Sequence, residues 1–275
     1  MRRMRILLFG LIILCLSAIG AFAQESKIVK IEMSQAEIDR IVKTFTAKEA
    51  EFRDALENYV FYRNAKVQTI GMGGQVTGVY HRDSYMFLND QGKRMEKIVY
   101  FPISTLTEIG ITPEDIENLG SINPFALDPS KAALYNFTFV GKEKIDELNL
   151  YVFDVAPKVT PDPKKSKQLL FLGRIWVDDQ DLQIVRSKGK AVPEDKRNKY
   201  PIIETWRENV GGKYWFPSYA TSDDELVFDN GNAVKLKIRV SYKDYTQGKS
   251  EVRILDDTEE TPLTNPTPTP TPKKP

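Results

Sequence analysis

From Val234 to Tyr242 apolar and polar residues alternate without a break. Val234, Leu236, Ile238, Val240 and Tyr242 share one parity; Lys235, Lys237 and Arg239 take the other, as does Lys243 just beyond. A period of two sends successive side chains to opposite faces of a strand. This stretch therefore demands a sheet with one buried face and one wetted face. Weaker forms of the same pattern recur along the chain. Tyr59, Phe61, Ala65 and Val67 alternate with polar positions, as do Tyr135, Phe137 and Phe139, and then Tyr151, Phe153 and Val155. Strands are also expected over 75–82, 85–88 and 96–101. Residues 168–178 and 182–188 read as a hairpin turned by Asp178-Asp179-Gln180-Asp181. Residues 202–209 and 214–221 flank Gly211-Gly212, a dipeptide suited to a tight hairpin turn.

Two helical segments interrupt the strands. Residues 34–57 carry Ile38, Ile41, Val42, Phe45 and Leu56 on one stripe, with no Gly or Pro. Ser34 and Glu37 fit a capping box, in which Glu37 reaches back to the cap. Thr112-Pro113-Glu114-Asp115 reads as a second helix start, within an irregular stretch over 103–133. Residues 157–167, rich in Pro and Lys, read as a loop, and Gly71 to Gly74 as a turn. No internal repeat of fixed period is present.

The two ends differ from the middle. Residues 1–23 combine Arg2, Arg3 and Arg5, an apolar run from Ile6 to Ile19, and Ala21-Phe22-Ala23 before Gln24. That is the layout of a cleaved secretory signal, and its apolar run falls short of the about 20 residues a spanning helix needs. Cleavage removes Cys15, the sole cysteine, so a core and not a disulfide has to stabilise the mature chain. It also removes three arginines, leaving 36 basic against 38 acidic residues, a balance that does not suggest a nucleic-acid binder. Export and a periplasmic location are the expectation. Residues 255–275, dominated by Thr-Pro repeats, read as a disordered tail, which leaves 24–254 as one domain.

The chain offers little for catalysis. His81 is the only histidine, and no nucleophile elbow accompanies it. Zinc sites need several His or Cys ligands, which are lacking. The acidic groups Asp178/Asp179/Asp181 and Asp223/Asp224/Glu225 fall where turns are expected and lack EF-hand spacing. Gly71-Met72-Gly73-Gly74 lacks the Lys-Ser/Thr and the helix of a phosphate loop. The reading is a non-enzymatic protein with no cofactor and no metal. The basic stripe Lys235, Lys237, Arg239 and Lys243 reads as a solvated strand face, with contact to acidic lipid heads or a partner protein as the alternative.

A longer pattern runs through these strands. Gly141-Lys142-Glu143-Lys144-Ile145 leads into 150–158, Leu-Tyr-Val-Phe-Asp-Val-Ala-Pro-Lys; Gly173-Arg174-Ile175-Trp176-Val177-Asp178 follows, then Leu182-Gln183-Ile184-Val185-Arg186. With one leading helix, this resembles the outer-membrane lipoprotein-sorting (LolA/LolB-like) family over most of residues 34–245. The resemblance implies an α+β, mainly antiparallel fold, an incomplete barrel of roughly 10 strands with helices on its concave side. It further implies a cavity for lipid or lipoprotein acyl chains, and in other relatives envelope-stress sensing through protein contacts. Peripheral contact with a membrane would fit either role. In carrier members an arginine before a proline helps govern ligand release; Arg82 is similar in place, with Asp83 where the proline would be. Parity then nominates Phe61, Phe87, Tyr135, Phe137 and Phe139, together with Arg82, as ligand-lining residues.

Overall fold

The computed structural model describes residues 27–112, 115 and 127–248. The expected export signal, the expected disordered tail and most of the helix expected after Thr112 lie outside the described residues. At Thr112 itself the cap is formed: its N and Oγ1 each donate to Asp115 Oδ2 over 2.8 Å, and Asp115 N donates back to Thr112 Oγ1.

The first helix, α1, spans Gln35–Leu56. Ser34 caps it, accepting from Glu37 N over 3.3 Å. Glu37 does not complete the box; its carboxylate takes Arg40 Nη2 at 2.9 Å on the exposed helix face instead. Ile41, Phe45, Glu49, Phe52 and Leu56 recur at three- and four-residue spacing and are buried, which defines the face turned to the sheet.

Ten strands follow: β1 (Tyr59–Ile70), β2 (Val76–Leu88), β3 (Arg94–Tyr100), β4 (Tyr135–Ile145), β5 (Leu148–Pro157), β6 (Leu170–Asp178), β7 (Ile184–Val192), β8 (Ile203–Val210), β9 (Tyr214–Val227) and β10 (Ala233–Gln247). They form one antiparallel sheet in the order β3-β2-β1-β10-β9-β8-β7-β6-β5-β4. Strands consecutive in the chain pair with each other except β3 and β4, and β10 also pairs with the chain-distant β1, so it lies between β9 and β1. The edge strands β3 and β4 do not pair with each other, so the sheet stays open. With α1 on its inner face, this is the mainly β half-barrel that the sequence leads one to expect. A one-turn helix, α2 (Pro129–Ala132), precedes β4, capped by Asp128.

Alternation sets the two faces. On the inner face, Phe52 and Leu56 of α1 join a cluster with Phe61, Val67, Phe216 and Tyr242. Ile41 and Phe45 join a second cluster with Tyr135, Phe153, Val155 and Ile175. Polar side chains fix the helix between them. Glu49, 1% exposed, accepts from Arg207 Nη1 at 2.6 Å and Nη2 at 3.0 Å, and the guanidinium stands 4.3 Å from the Phe52 ring centre. On the outer face Leu150, Val152, Trp176 and Val185 form a small third cluster under Ile28 and Trp215. Val29 exchanges backbone bonds of 2.7 and 2.9 Å with Lys142, capping that stretch of β4. A side chain at Gly141 would put its Cβ 2.4 Å from Val29 O, so the strap needs a glycine there.

Three expectations change. Asp223, Asp224 and Glu225 lie within β9 and form no turn, because each is paired across the ladder with a β10 residue, and Asp223 also forms an ion pair with Lys237 at 3.7 Å. The basic stripe on β10 therefore has acidic neighbours. Residues 76–88 form one strand where two were expected, since Asp83 and Ser84 are satisfied across the sheet by Asn64 and Glu96. The 178–181 turn forms, yet Asp178 is buried and not solvated. Burial, with Asp181 close by, holds its carboxyl above the ordinary carboxylate value.

Candidate functional site

The inner face is not filled along its whole length. A cavity of about 330 Å³ lies over the centre of the sheet. Its floor is the apolar parity of consecutive strands: Val67 of β1, Leu236 and Ile238 of β10, Leu226 of β9, Ile203 of β8 and Ala191 of β7. No residue of α1 lines it. Its walls are two irregular segments, one carrying Ile109 and Ile111, the other Arg197 to Pro201 between β7 and β8.

The first wall lies close because β2 lets it. Thr105 N donates to Val79 O at 3.0 Å, and Val79 N donates to Thr105 Oγ1 at 2.9 Å. A Cβ on Gly78 would stand 2.9 Å from Thr105 O and 3.0 Å from Leu106 Cα. Thr77 Oγ1 then ties down Glu108 at 2.6 Å. The second wall is set by Asp195, which accepts from Arg197 N and Asn198 N, and by Asp224, which accepts from Ile202 N at 2.8 Å. The result is an apolar floor under a rim that carries Lys190, Arg197, Lys199, Glu108 and Asp115. At about 300–1,000 Å³, pockets of this make-up hold small ligands.

The five aromatics nominated from parity, and Arg82 nominated by the resemblance, lie elsewhere. Tyr135, Phe137 and Phe139 pack under α1, with Phe45 5.4 Å from Phe137 and Phe139 5.4 Å from Phe153. Phe61 is packed against Tyr245 at 5.2 Å and lies under Arg94. Phe87 is half-buried, opposite Met95 of β3. Arg82 is bound to Glu96, its Nε 3.0 Å from Oε1, with Arg63 on the same carboxylate at 2.8 Å. Burial alone would raise the Glu96 pKa; the hydrogen bonds from Ser84 and Arg82 and the charges of Arg63 and Arg82 outweigh it and hold Glu96 below the usual carboxylate range. None of the six lines the cavity.

A solved structure is similar to this one. It is a DUF1329 family protein from Desulfovibrio piger ATCC 29098, 16% identical, with a TM-score of 0.40 over 78% of this chain and 95% of that chain. No family model and no curated protein matches the sequence.

The remaining candidates have structural roles. His81 stands beside Asp83 and the Tyr100 ring and is absent from the cavity lining. Asp179 pairs with Lys142 at 2.9 Å, and Asp181 accepts from Trp215 Nε1 at 2.8 Å. Among the described residues, no three His, Cys, Asp or Glu side chains are grouped to hold a metal ion. The cavity-lining residues that parity missed, Ile203 and Leu226 among them, carry the right alternation. What the alternation lacks is any sign that α1 leaves them uncovered.

Proposed function

We propose that this is an exported, non-enzymatic binding protein that holds one apolar chain in the inner-face cavity. The observation that carries this reading is a cavity whose apolar floor spans five adjacent strands and whose lining includes no residue of the chain's own long helix. Burying a methylene is worth about 0.8 kcal/mol, so an acyl chain would bind without catalytic machinery. The volume lies at the lower end for ligand sites, which suits one chain better than the several of a lipoprotein anchor. Sequence residues 1–23 support export, and a periplasmic carrier of lipid is the role most consistent with both.

The test is detergent-free purification from envelope extract, native mass spectrometry and organic extraction of what is bound. Lipid should co-purify with the native chain. Ile203→Trp, which directs an indole from half-buried Ile203 into the cavity, should fold and carry none. A native chain that carries no lipid and takes up no added dodecanoate would refute the reading.

A second reading has its own observation. The edge strand β3 and the residues after it leave Ile98, Val99, Tyr100 and Phe101 about half exposed. Bare apolar edges recruit other chains. An envelope interaction or stress-sensing module with no lipid cargo would use that edge, and recovery of one protein partner without lipid would favour it.

A further inference from the structure

The cavity is apolar below and charged at its rim, and the rim charges are not equivalent. Lys190 is paired with Glu194 at 3.0 Å, and Lys199 with Asp229 at 2.9 Å. Glu108 accepts from Thr77 of β2, and Asp115 accepts from Thr112, so both acids already hold a partner within the protein. Arg197 differs. Its backbone N donates to Asp195, but its guanidinium makes no ion pair and no hydrogen bond among the described residues, and the residue is exposed at the cavity rim.

We infer that the chain held in the cavity ends in an anionic head, a carboxylate or a phosphate, and that Arg197 receives it. This rests on the cavity reading above and adds the ligand's polar end. An apolar chain lying on Leu236 and Ile238 has to leave its head at the rim, since a charged head inside would lose its water without a partner. At the rim, Glu108 and Asp115 repel an anion from one wall, and Arg197 offers several N–H donors on the other. A guanidinium pairs with carboxylate and phosphate through two parallel bonds, so it suits either head. A cationic head would meet Arg197 unfavourably, and a neutral one would leave it unused. The ligand class is then a single-chain anionic amphiphile.

The experiment is calorimetric titration of the full secreted chain with dodecanoate, dodecyl phosphate, dodecanol and dodecyltrimethylammonium, each below its micelle concentration. The two anions should bind about fivefold more tightly than dodecanol, the upper reach of an exposed ion pair, and the cation most weakly. The preference should shrink in 1 M salt and vanish in Arg197→Gln, while dodecanol affinity stays put. Whichever anion shows the larger preference identifies the head. Equal binding of dodecanoate and dodecanol by the native chain would overturn the head-group assignment and leave the cavity reading standing. A preference that survives Arg197→Gln would overturn the role of Arg197. Binding of none of the four would overturn the cavity reading itself.

Discussion

Replacing Glu49 by Ala should be among the costliest single changes in this protein. Its carboxylate is 1% exposed and takes two hydrogen bonds from Arg207, whose only other acceptor among the described residues is Ile184 O at 3.2 Å. Removing the acid leaves a guanidinium in the interior with half its partners gone. Breaking such a pair from one side costs about 3–5 kcal/mol. Arg207→Ala should cost a similar amount, since it strands the carboxylate and also loses the contact with Phe52. The double variant Glu49→Leu/Arg207→Met removes both charges and keeps apolar volume. It should lose only about 1 kcal/mol, chiefly the unpaired Ile184 carbonyl. Urea unfolding of the native chain, this double variant and its constituent singles Glu49→Leu and Arg207→Met, followed in parallel by tryptophan fluorescence and far-UV circular dichroism, gives the four stabilities of the cycle. Against a total of about 5–15 kcal/mol, either single change should move the midpoint far to lower urea. Additivity within about 0.5 kcal/mol would show that the pair is not a desolvated clamp, and the reasoning would fail.

Two further outcomes follow from the geometry. Gly78→Ala places a methyl group against Thr105 and Leu106, so it should lift the 104–111 wall. Hydrogen exchange at 104–111 should rise and dodecanoate affinity should drop, with strands β4 to β7 unchanged; unaltered exchange would contradict the packing. For Glu96, the folded-state pKa is depressed, so its contribution to stability is fully present above the ordinary carboxylate value and is lost as pH falls through the lower folded value. Glu96→Gln should therefore flatten the acid limb of the stability profile below about pH 4.5, measured by urea midpoints between pH 3 and 7; an unchanged limb would refute it.

Much of this architecture is readable from local pattern. The alternation at 234–242 places β10 on the correct parity, and Ser34 with the Ile41/Phe45/Leu56 stripe places α1. Local pattern fails where a distant partner decides. Asp223 to Glu225 have the composition of a turn, and ladder pairing with Lys237, Leu236 and Lys235 keeps them in a strand. Glu49 interrupts an apolar stripe, and its partner Arg207 lies on β8, far along the chain. The aromatic set Tyr135, Phe137 and Phe139 faces inward as parity requires, but α1 covers it. Val67, Leu236 and Ile238 face inward by the same rule and are buried too, but they line the cavity under the 104–111 wall and not under α1. Facing is a property of one strand; coverage depends on where the helix docks and on the irregular wall at 104–111.

The placement of β10 has a consequence for how the molecule can be made. The last strand of the sheet fills its middle, joining β1 on one side and β9 on the other. Until Ala233–Gln247 is available, the β1-β2-β3 hairpins and the β4 to β9 meander share no ladder, and two sheet edges stay open to other chains. Closing that gap pairs Tyr59 with Gln247, a contact between opposite ends of the folded region, and such non-local pairing is slow to form. A nascent or translocating chain would therefore gain its cooperative fold only near the end of its synthesis or passage. That order is compatible with the export proposed above, and it makes truncation before β10 a route to aggregation, not to a smaller working unit.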